Sequence, residues 1–180
     1  MNIVHPIKNI SKINQIKNIL KNRSNRNCFL FELGINTGLR ISDLLKLKVS
    51  DIKNKTHITI IEQKTGKYKK FLINDSLRKK VNDYTASMSS DMFLFSSRNC
   101  LPVKRHTAYK IIKQAARDAG IKDKIGTHTL RKTFGYHLYQ KTKDVAMLQR
   151  IFNHSSPDTT MCYIDIQQDY IDEVLSDFSL

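Results

Sequence analysis

Tyr163 lies near the end of the polar stretch FNHSSPDTTMCYI, residues 152–164, and His154 stands nine positions before it. A tyrosine in such a place commonly packs against a core, and a single histidine commonly makes a structural hydrogen bond. The same side chains can supply a nucleophilic hydroxyl and a proton carrier if other segments surround them with cations. Whether the hydroxyl of Tyr163 takes part in chemistry therefore depends on what the rest of the chain brings to it.

Three other basic groups are candidates for that role. Arg40, in TGLRISDL, follows a predicted helix end, and on a helix Asp43 would share its face and can hold the guanidinium. Lys64 lies at the turn of a predicted hairpin, from which a lysine can reach a ligand. His128 and Arg131 lie three residues apart at a predicted helix start, where amide N–H groups also favour an anion. Each group alone is explained as well by a solvated charge or a surface ion pair.

The charge of the chain indicates a polyanionic partner. Lys and Arg number 31 against 16 Asp and Glu, and residues 151–180 contain no Lys or Arg but six of the acidic residues. A basic body with an acidic tail favours nucleic acid, with an anionic membrane surface as the second choice. No apolar run approaches the ~20 residues that a membrane span requires, and no secretory signal is evident. The cysteines, few and far apart, are expected to be reduced thiols of a cytoplasmic protein.

Helices and one small hairpin must position these groups. The hydrophobic pattern predicts helices over residues 11–22, 25–38, 39–52, 75–87, 103–120, 127–141, 144–154 and 167–178. β-branched residues on both sides of a Lys-Thr-Gly turn predict the hairpin over residues 57–74, and residues 91–97 are a short apolar element. Gly38 and Gly120 suit helix ends, and a threonine cap is predicted to start the helix at residue 127. The order predicts a mainly helical α+β domain with one sizeable core.

In chain order the candidates are Arg, Lys, His-x-x-Arg, His and Tyr, which resembles the signature of the tyrosine recombinases, the phage integrase family. TGLRISDLLKLKVSDI is similar to the family's first arginine box, THTLRKTFGYHL to its second and FNHSSPDTTMCYI to its third. Glycine commonly precedes the histidine of the third box, where this chain has Asn153. The resemblance covers about residues 10–170 and implies that residues 1–180 form a single catalytic domain of that fold, with a small antiparallel sheet.

Most members of the family also carry an N-terminal core-binding domain that clamps the far side of the DNA. This chain starts almost at the catalytic domain, so that domain is expected to be absent. The chain resembles short members that work as catalytic domains alone, such as the fimbrial inversion recombinases. A fragment or a separately expressed domain fits equally.

The resemblance implies a site-specific DNA recombinase or integrase. The Tyr163 hydroxyl would attack a DNA phosphodiester, the 5′ oxygen would leave, and a 3′-phosphotyrosine link would remain for a second 5′-hydroxyl to reverse. The reaction needs no metal and no cofactor, and the sequence has no carboxylate cluster or Cys/His set with ligand spacing. A phenol with a pKa near 10 costs about 4 kcal/mol to ionise at pH 7. Nearby cations must lower that cost, or a base must take the proton.

Within this reaction the guanidiniums of Arg40 and Arg131 would hold the non-bridging oxygens, because their planar forks match that geometry. His128 would accept or relay the tyrosine proton, and His154 would hydrogen-bond a non-bridging oxygen. The two histidine roles can be exchanged.

The leaving 5′ oxygen needs a proton, and Lys64 is the expected general acid. Lys67 is its rival, and Lys64 is preferred because it precedes the Thr-Gly turn as in the family hairpin. The other lysines of the hairpin, Lys69 and Lys70, are expected to be solvated.

Double-stranded DNA is the expected partner, bound by a homo-oligomer that is a tetramer on DNA and a monomer or dimer when free. Contacts with the DNA backbone, or otherwise solvated charges, are predicted for Lys67, Lys104, Arg105 and Lys132. In the family the C-terminal segment docks on a neighbouring catalytic domain. Residues 166–180 would either dock in this way or pack on their own domain, through the stripe Tyr170, Ile171, Val174, Leu175 and Phe178.

Two other functions remain open. A type IB topoisomerase shares this chemistry but relaxes supercoils without choosing a site. A DNA-binding accessory factor could keep the fold without cleaving, although all six catalytic positions carry chemically competent residues.

Overall fold

The computed structural model describes residues 4–63, 66–176 and 178–179, without the side chains of residues 167–169, 173 and 174. In these residues no helix is both long enough and apolar enough to cross a membrane. The predicted mainly helical α+β class is confirmed. The elements are α1 (Ile10–Arg23), α2 (Asn25–Thr37), α3 (Ile41–Lys46), β1 (His57–Ile61), β2 (Tyr68–Leu72), α4 (Asp75–Thr85), α5 (Arg105–Asp118), α6 (Thr127–Thr142), α7 (Val145–Phe152), α8 (Pro157–Tyr163) and α9 (Gln167–Ser176).

Helix α2 ends where its capping residue predicts. Gly38 follows α2 with φ 63°, a left-handed conformation that glycine adopts without steric cost. A Cβ at this position would also collide with the ring of Phe134 on α6. Helix α3 is shorter than the predicted segment 39–52, because a 3-10 turn at Val49–Asp51 replaces its second half. The leucines that recur at helical spacing in this segment are all buried: Leu39, Leu44, Leu45 and Leu47.

Two local predictions around the later helices were wrong or missing. Helix α6 has Gly126 rather than a threonine as its N-cap, and the hydroxyl of Thr129 accepts from the Gly126 N–H at 3.1 Å. Helix α8 was not predicted, since its sequence is short and polar. It begins because Ser156 accepts a hydrogen bond from the N–H of Thr159 and Pro157 takes the first helical position. Tyr163 is therefore the last residue of a helix rather than part of a loop.

The two strands form an antiparallel hairpin with distinct faces. Ile58 pairs with Phe71, and both are buried against the helices. Lys69, two residues before Phe71 in the same strand, also points to this inner face. Ile61 and Tyr68 pair on the opposite face and are exposed. The hairpin therefore turns one lysine toward the body of the protein.

The core has two parts. The larger cluster is formed by α1 to α5 and the hairpin, together with Leu130 of α6, and the smaller one by the rest of α6, α7 and the segment after α8. Gly135 on α6 makes the smaller cluster possible, because a Cβ there would lie 2.6 Å from Cγ2 of Ile164 and 2.7 Å from Cε2 of Phe152. Ile164 directly follows Tyr163, so this close approach sets the distance between α6 and the end of α8.

Candidate active site

Arg131 is fixed by two backbone carbonyls and one aromatic ring. It is 3% exposed, its Nη1 donates to the carbonyl of Gly38 at 2.6 Å and its Nη2 to the carbonyl of Phe152 at 3.1 Å. Its guanidinium carbon lies 4.4 Å from the centre of the Phe152 ring. Burial lowers the pKa of Arg131, but a guanidinium stays charged in a protein. The site therefore contains a rigid positive charge held between the end of α2 and the end of α7.

Arg40 is held by a carboxylate that the sequence did not indicate. It is the N-cap of α3, and its Nη1 lies 2.5 Å from Oε1 of Glu62, which is 1% exposed. The contact is an ion pair, and Nη1 makes no aligned hydrogen bond to a residue that the structure describes. A buried N–H group in this state would be satisfied by an incoming oxyanion.

Asp43 has a different partner from the one predicted. Its Oδ1 accepts a hydrogen bond from the backbone N–H of Gln63 at 3.3 Å, at the end of the hairpin strand. Burial raises the pKa of Asp43, and the charge of Glu62 adds to this effect. Its Oδ2 has no hydrogen-bond partner among the residues that the structure describes. Asp43 therefore anchors the base of the hairpin to α3, and Glu62 takes the position of ion partner to Arg40.

The phenol of Tyr163 lies among two histidines and a lysine. Its hydroxyl oxygen is 3.4 Å from Nδ1 of His128, and its ring centre is 5.0 Å from that of His154. The ammonium of Lys132 lies 5.2 Å from the ring centre. Burial raises the pKa of Tyr163, and the positive charges of Arg131 and Arg40 oppose this shift without reversing it. In the protein without DNA the side chain is thus a neutral phenol.

His154 is neutral and partly buried. Its Nδ1 lies 3.1 Å from the hydroxyl of Thr160, which also contacts the carbonyl of Ser156 at 3.2 Å. Burial lowers the pKa of His154 to about 4, with further contributions from Arg131, Arg40 and Lys69. Asn153, before it, has φ 55° and ψ 49°. Asparagine tolerates this left-handed conformation better than other side chains, so it can occupy a position where the family commonly has glycine.

The hairpin lysines reach toward the segment that carries His154. Lys64 lies outside the described residues. The ammonium of Lys67 donates to Oδ1 of Asn153 at 2.9 Å. The solvated position expected for Lys69 was wrong: its side chain is 12% exposed and its ammonium donates to the carbonyl of Ile151. Burial lowers the pKa of Lys69.

Candidates for DNA contacts differ in their surroundings. Lys104 is the N-cap of α5, and both it and Arg105 are exposed. Lys132, in contrast, is 9% exposed under the Tyr163 ring, and burial lowers its pKa while Asp165 opposes the shift. A cavity of about 510 Å³ joins Arg105 to His128. A neighbouring cavity of about 630 Å³ is lined by further basic residues of α5 and the following loop: Lys113, Arg117, Lys122 and Lys124.

The structure therefore gathers most of the predicted catalytic set around one point. Arg40 and Arg131 act electrostatically on the phenol of Tyr163, and His128 and His154 contact it. Such an arrangement can bind a tetrahedral anion and remove a proton from a hydroxyl beside it. In the described part of the chain no group of three or more His, Cys, Asp or Glu side chains has the arrangement of a metal site.

Comparison with known proteins identifies the family. The model of the phage integrase family matches residues 8–169. This chain belongs to the phage integrase family. The match includes every residue of the predicted catalytic set, from Arg40 to Tyr163.

Relatives of this phage integrase family member differ in how much of their length it covers. "Probable integrase/recombinase YoeC" of Bacillus subtilis (strain 168) is 51% identical over 170 residues, which are 94% of this chain and 93% of YoeC. Tyrosine recombinase XerH of Campylobacter jejuni is 34% identical over 157 residues, which are 83% of this chain but 44% of XerH. The chain thus spans nearly all of one relative and less than half of the other.

A solved structure confirms the predicted fold. XerH site-specific recombinase bound to palindromic difH substrate, a post-cleavage complex, matches with a TM-score of 0.78 at 21% identity. The match covers 98% of this chain and 54% of the XerH chain. The likeness establishes the tyrosine-recombinase catalytic-domain fold.

Sequence reasoning missed three features of the site. Glu62 and Lys69 were hidden because their burial depends on how the hairpin packs on α3 and α7. The basic face of α5 carried a signal that could have been found, since Arg105, Tyr109, Lys113 and Arg117 recur at intervals of four residues.

Proposed function

We propose that this chain is a site-specific DNA recombinase that cleaves and rejoins strands through a 3′-phosphotyrosine intermediate on Tyr163. The observation that carries the proposal is the pocket in which the Tyr163 phenol faces His128 beside two arginines. A phosphodiester placed there would meet a nucleophile, a base and two guanidiniums at once. A cytoplasmic location belongs to the same proposal, supported by cysteines unpaired within the described chain.

Removal of the proton from the Tyr163 hydroxyl is assigned to His128. Because burial keeps the pKa of Tyr163 raised, the phenol has to lose its proton during the attack rather than before it. His128 is within reach of that proton, at 3.4 Å. His154 is a poor base because its pKa is lowered to about 4. Neutral His154 is proposed to hydrogen-bond a non-bridging oxygen through Nε2, while its Nδ1 faces the hydroxyl of Thr160.

Stabilisation of the negative charge that develops on the phosphate is assigned to the arginines. Arg131 needs no rearrangement, since two carbonyls and the Phe152 ring already fix its plane. Nη1 of Arg40 is ion-paired with Glu62 but makes no aligned hydrogen bond to a described residue, so it can donate to the phosphate when it arrives. Preorganised donors of this kind contribute about 3–4 kcal/mol each to transition-state stabilisation.

Protonation of the leaving 5′ oxygen is assigned to Lys64, with Lys67 as the alternative. The support is the sequence, in which Lys64 precedes the Thr-Gly pair of the turn as in the family hairpin. This turn is closed on both sides by the hydrogen bonds Glu62 N–H to Lys67 carbonyl, 3.0 Å, and Gly66 N–H to Glu62 carbonyl, 2.8 Å.

The duplex is proposed to follow the two cavities beside α5. They share Val4 and Tyr109, so together they make a basic groove that leads from Lys124 to His128. Backbone phosphates would lie along this groove, which places Arg105 and Lys104 at its end near the site. Lys132 is proposed to act at the scissile phosphate instead, because its ammonium is buried against Tyr163.

Assembly on DNA is proposed to use α9. The apolar side chains that the structure describes here are exposed: Tyr170, Ile171 and Leu175, with Phe178 just after the helix. The side chain of Val174, also in the predicted stripe, lies outside the described residues. These side chains are not covered by their own domain. Their exposure favours docking of α9 on a second copy of the chain over packing on the same domain. The acidic residues of the tail suit the basic body of that copy, which supports a homo-oligomer on DNA.

The test is covalent trapping on DNA. A duplex site is selected from random DNA with the Tyr163→Phe chain, nicked near the cleavage position, and incubated with the unaltered protein. The proposal predicts a covalent protein–DNA adduct for the unaltered protein and for Tyr139→Phe, a matched control on α6. Tyr163→Phe should bind the duplex but form no adduct. Adducts that survive Tyr163→Phe would refute the proposal.

A further inference from the structure

Glu62 is a buried acid in a pocket built to attract an anion. It is 1% exposed, its Oε1 lies 2.5 Å from Nη1 of Arg40, and the ammonium of Lys69 lies 3.8 Å away. Burying a carboxylate is costly unless cations compensate it. A negative charge at this place also opposes the binding of a phosphate. Compared with an apolar side chain, Glu62 therefore adds the cost of burying a charge and lowers the affinity of the site for phosphate. Its presence calls for a contribution that an apolar side chain would not make.

The contribution lies in how Glu62 holds Arg40. The ion pair fixes the guanidinium without using Nη1 in an aligned hydrogen bond to any described residue. Among the described contacts, Asp43 makes no hydrogen bond to Arg40; its Oδ1 accepts from the backbone N–H of Gln63. Without Glu62 the long side chain of Arg40 would sample several rotamers.

The backbone of Glu62 ties the same residue to the hairpin turn. Its N–H donates to the carbonyl of Lys67 and its carbonyl accepts from the N–H of Gly66. These bonds close the turn that contains Lys64 in the sequence. A single residue thus connects the position of Arg40 with the base of the turn and, through Lys69, with the carbonyl of Ile151 on α7.

We propose that Glu62 is a positioning residue that couples Arg40 to the hairpin turn. Its negative charge fixes the guanidinium of Arg40, and the same charge weakens the binding of phosphate. The inference rests on the proposed strand-transfer function. It predicts opposite effects of Glu62→Gln on two measurable quantities: anions bind more tightly, and strand cleavage becomes slower. A purely structural role would weaken both together.

The first measurement needs no DNA site. Inorganic phosphate is titrated into the unaltered protein, Glu62→Gln and Glu32→Gln, following the arginine side-chain N–H signals by NMR. Glu32, on α2, is the matched control, since it also pairs with a lysine, Lys80, at 2.6 Å and its side chain is 14% exposed. Glu62→Gln should bind phosphate about 3- to 10-fold more tightly, because one nearby negative charge is gone. Glu32→Gln should match the unaltered protein.

The second measurement is single-turnover cleavage of the selected nicked duplex. Glu62→Gln should cleave between about 10- and about 100-fold more slowly, the range expected when a catalytic group loses its fixed position. Glu62→Asp keeps the charge on a shorter side chain. It should keep the phosphate affinity of the unaltered protein and cleave faster than Glu62→Gln.

Each outcome decides one proposal. Cleavage by Glu62→Gln within about twofold of the unaltered rate, or phosphate binding that is unchanged or weaker, overturns the role of Glu62. If Glu62→Gln does not fold, Glu62→Asp decides: slower cleavage at unaltered phosphate affinity supports the inference, and an unaltered rate overturns it. An unaltered protein that forms no adduct, while Glu62→Gln binds phosphate more tightly, contradicts the recombinase function but supports the hold of Glu62 on Arg40.

Discussion

Nδ1 of His128 lies 3.4 Å from the hydroxyl oxygen of Tyr163, although 35 positions separate the two residues in the chain. The contact joins the first turn of α6 to the last residue of α8. Because burial raises the pKa of the phenol, the hydroxyl is neutral before the reaction. An adjacent base is needed to remove its proton as the oxygen attacks.

His128→Gln should slow strand cleavage by about 100-fold to about 10,000-fold, the usual contribution of a general base. The affinity for an uncleavable duplex should change little, since the phosphate-binding arginines remain. Single-turnover adduct formation and a binding titration measure the two quantities. His57→Gln, a change on the outer face of the hairpin, is the control and should cleave at the unaltered rate. Equal rates for both variants would exclude His128 as the base.

Arg131→Lys should damage both catalysis and stability. A lysine has one ammonium where Arg131 donates to the carbonyls of Gly38 and Phe152 at once. A buried carbonyl left without its donor costs about 1–3 kcal/mol of the free energy of unfolding, and cleavage should fall at least about 100-fold. Urea denaturation and adduct formation test the two parts. Unaltered stability would contradict the carbonyl contacts.

Acidification should destabilise the protein through His154. Its pKa is about 4 in the folded chain against an ordinary value of 6.5, so the unfolded chain binds the proton more readily. The contribution of neutral His154 to the free energy of unfolding is complete above pH 6.5 and is lost as the pH falls toward 4. NMR titration of the imidazole should give the low midpoint. In His154→Asn, the free energy of unfolding should fall less steeply over the same pH range; an equal slope would contradict this account.

Polar replacements on α9 should separate DNA binding from assembly. Tyr170→Ser with Leu175→Ser removes two exposed apolar side chains. If α9 docks on a second copy, the stability of the isolated chain should change by no more than about 0.5 kcal/mol. Cooperative loading of adjacent DNA sites, measured by sedimentation, should be lost. A marked fall in the stability of the isolated chain would instead place α9 on its own domain.

The sequence predicted what depends on local pattern and residue order. Helix α2 and its end at Gly38, the hairpin, and the inward leucines of α3 follow from periodicity and from one glycine that accepts a left-handed backbone. The catalytic candidates could be chosen because their order and spacing match the family boxes. The structure adds that all but Lys64, which it does not describe, lie around one phenol.

What could not be predicted depends on contacts between distant segments. Nothing in the local sequence distinguishes Glu62 from a solvated glutamate, or Lys69 from Lys70. Glu62 and Lys69 are buried because the hairpin packs on α3 and α7. The predicted Arg40–Asp43 partnership failed because Arg40 caps α3 from outside the helix, while Asp43 turns to the backbone of Gln63. Helix α8 was missed because a Ser-Pro start in a short polar stretch gives little hydrophobic periodicity.

The central claim is that the Tyr163 oxygen forms the bond to phosphorus. The most direct measurement digests the trapped adduct with nuclease and protease and locates the nucleotide by mass spectrometry. The expected product is a nucleotide joined through its 3′ phosphate to the peptide that contains Tyr163, with a 5′-hydroxyl on the released strand. A nucleotide on any other residue, or a link through a 5′ phosphate, would contradict it.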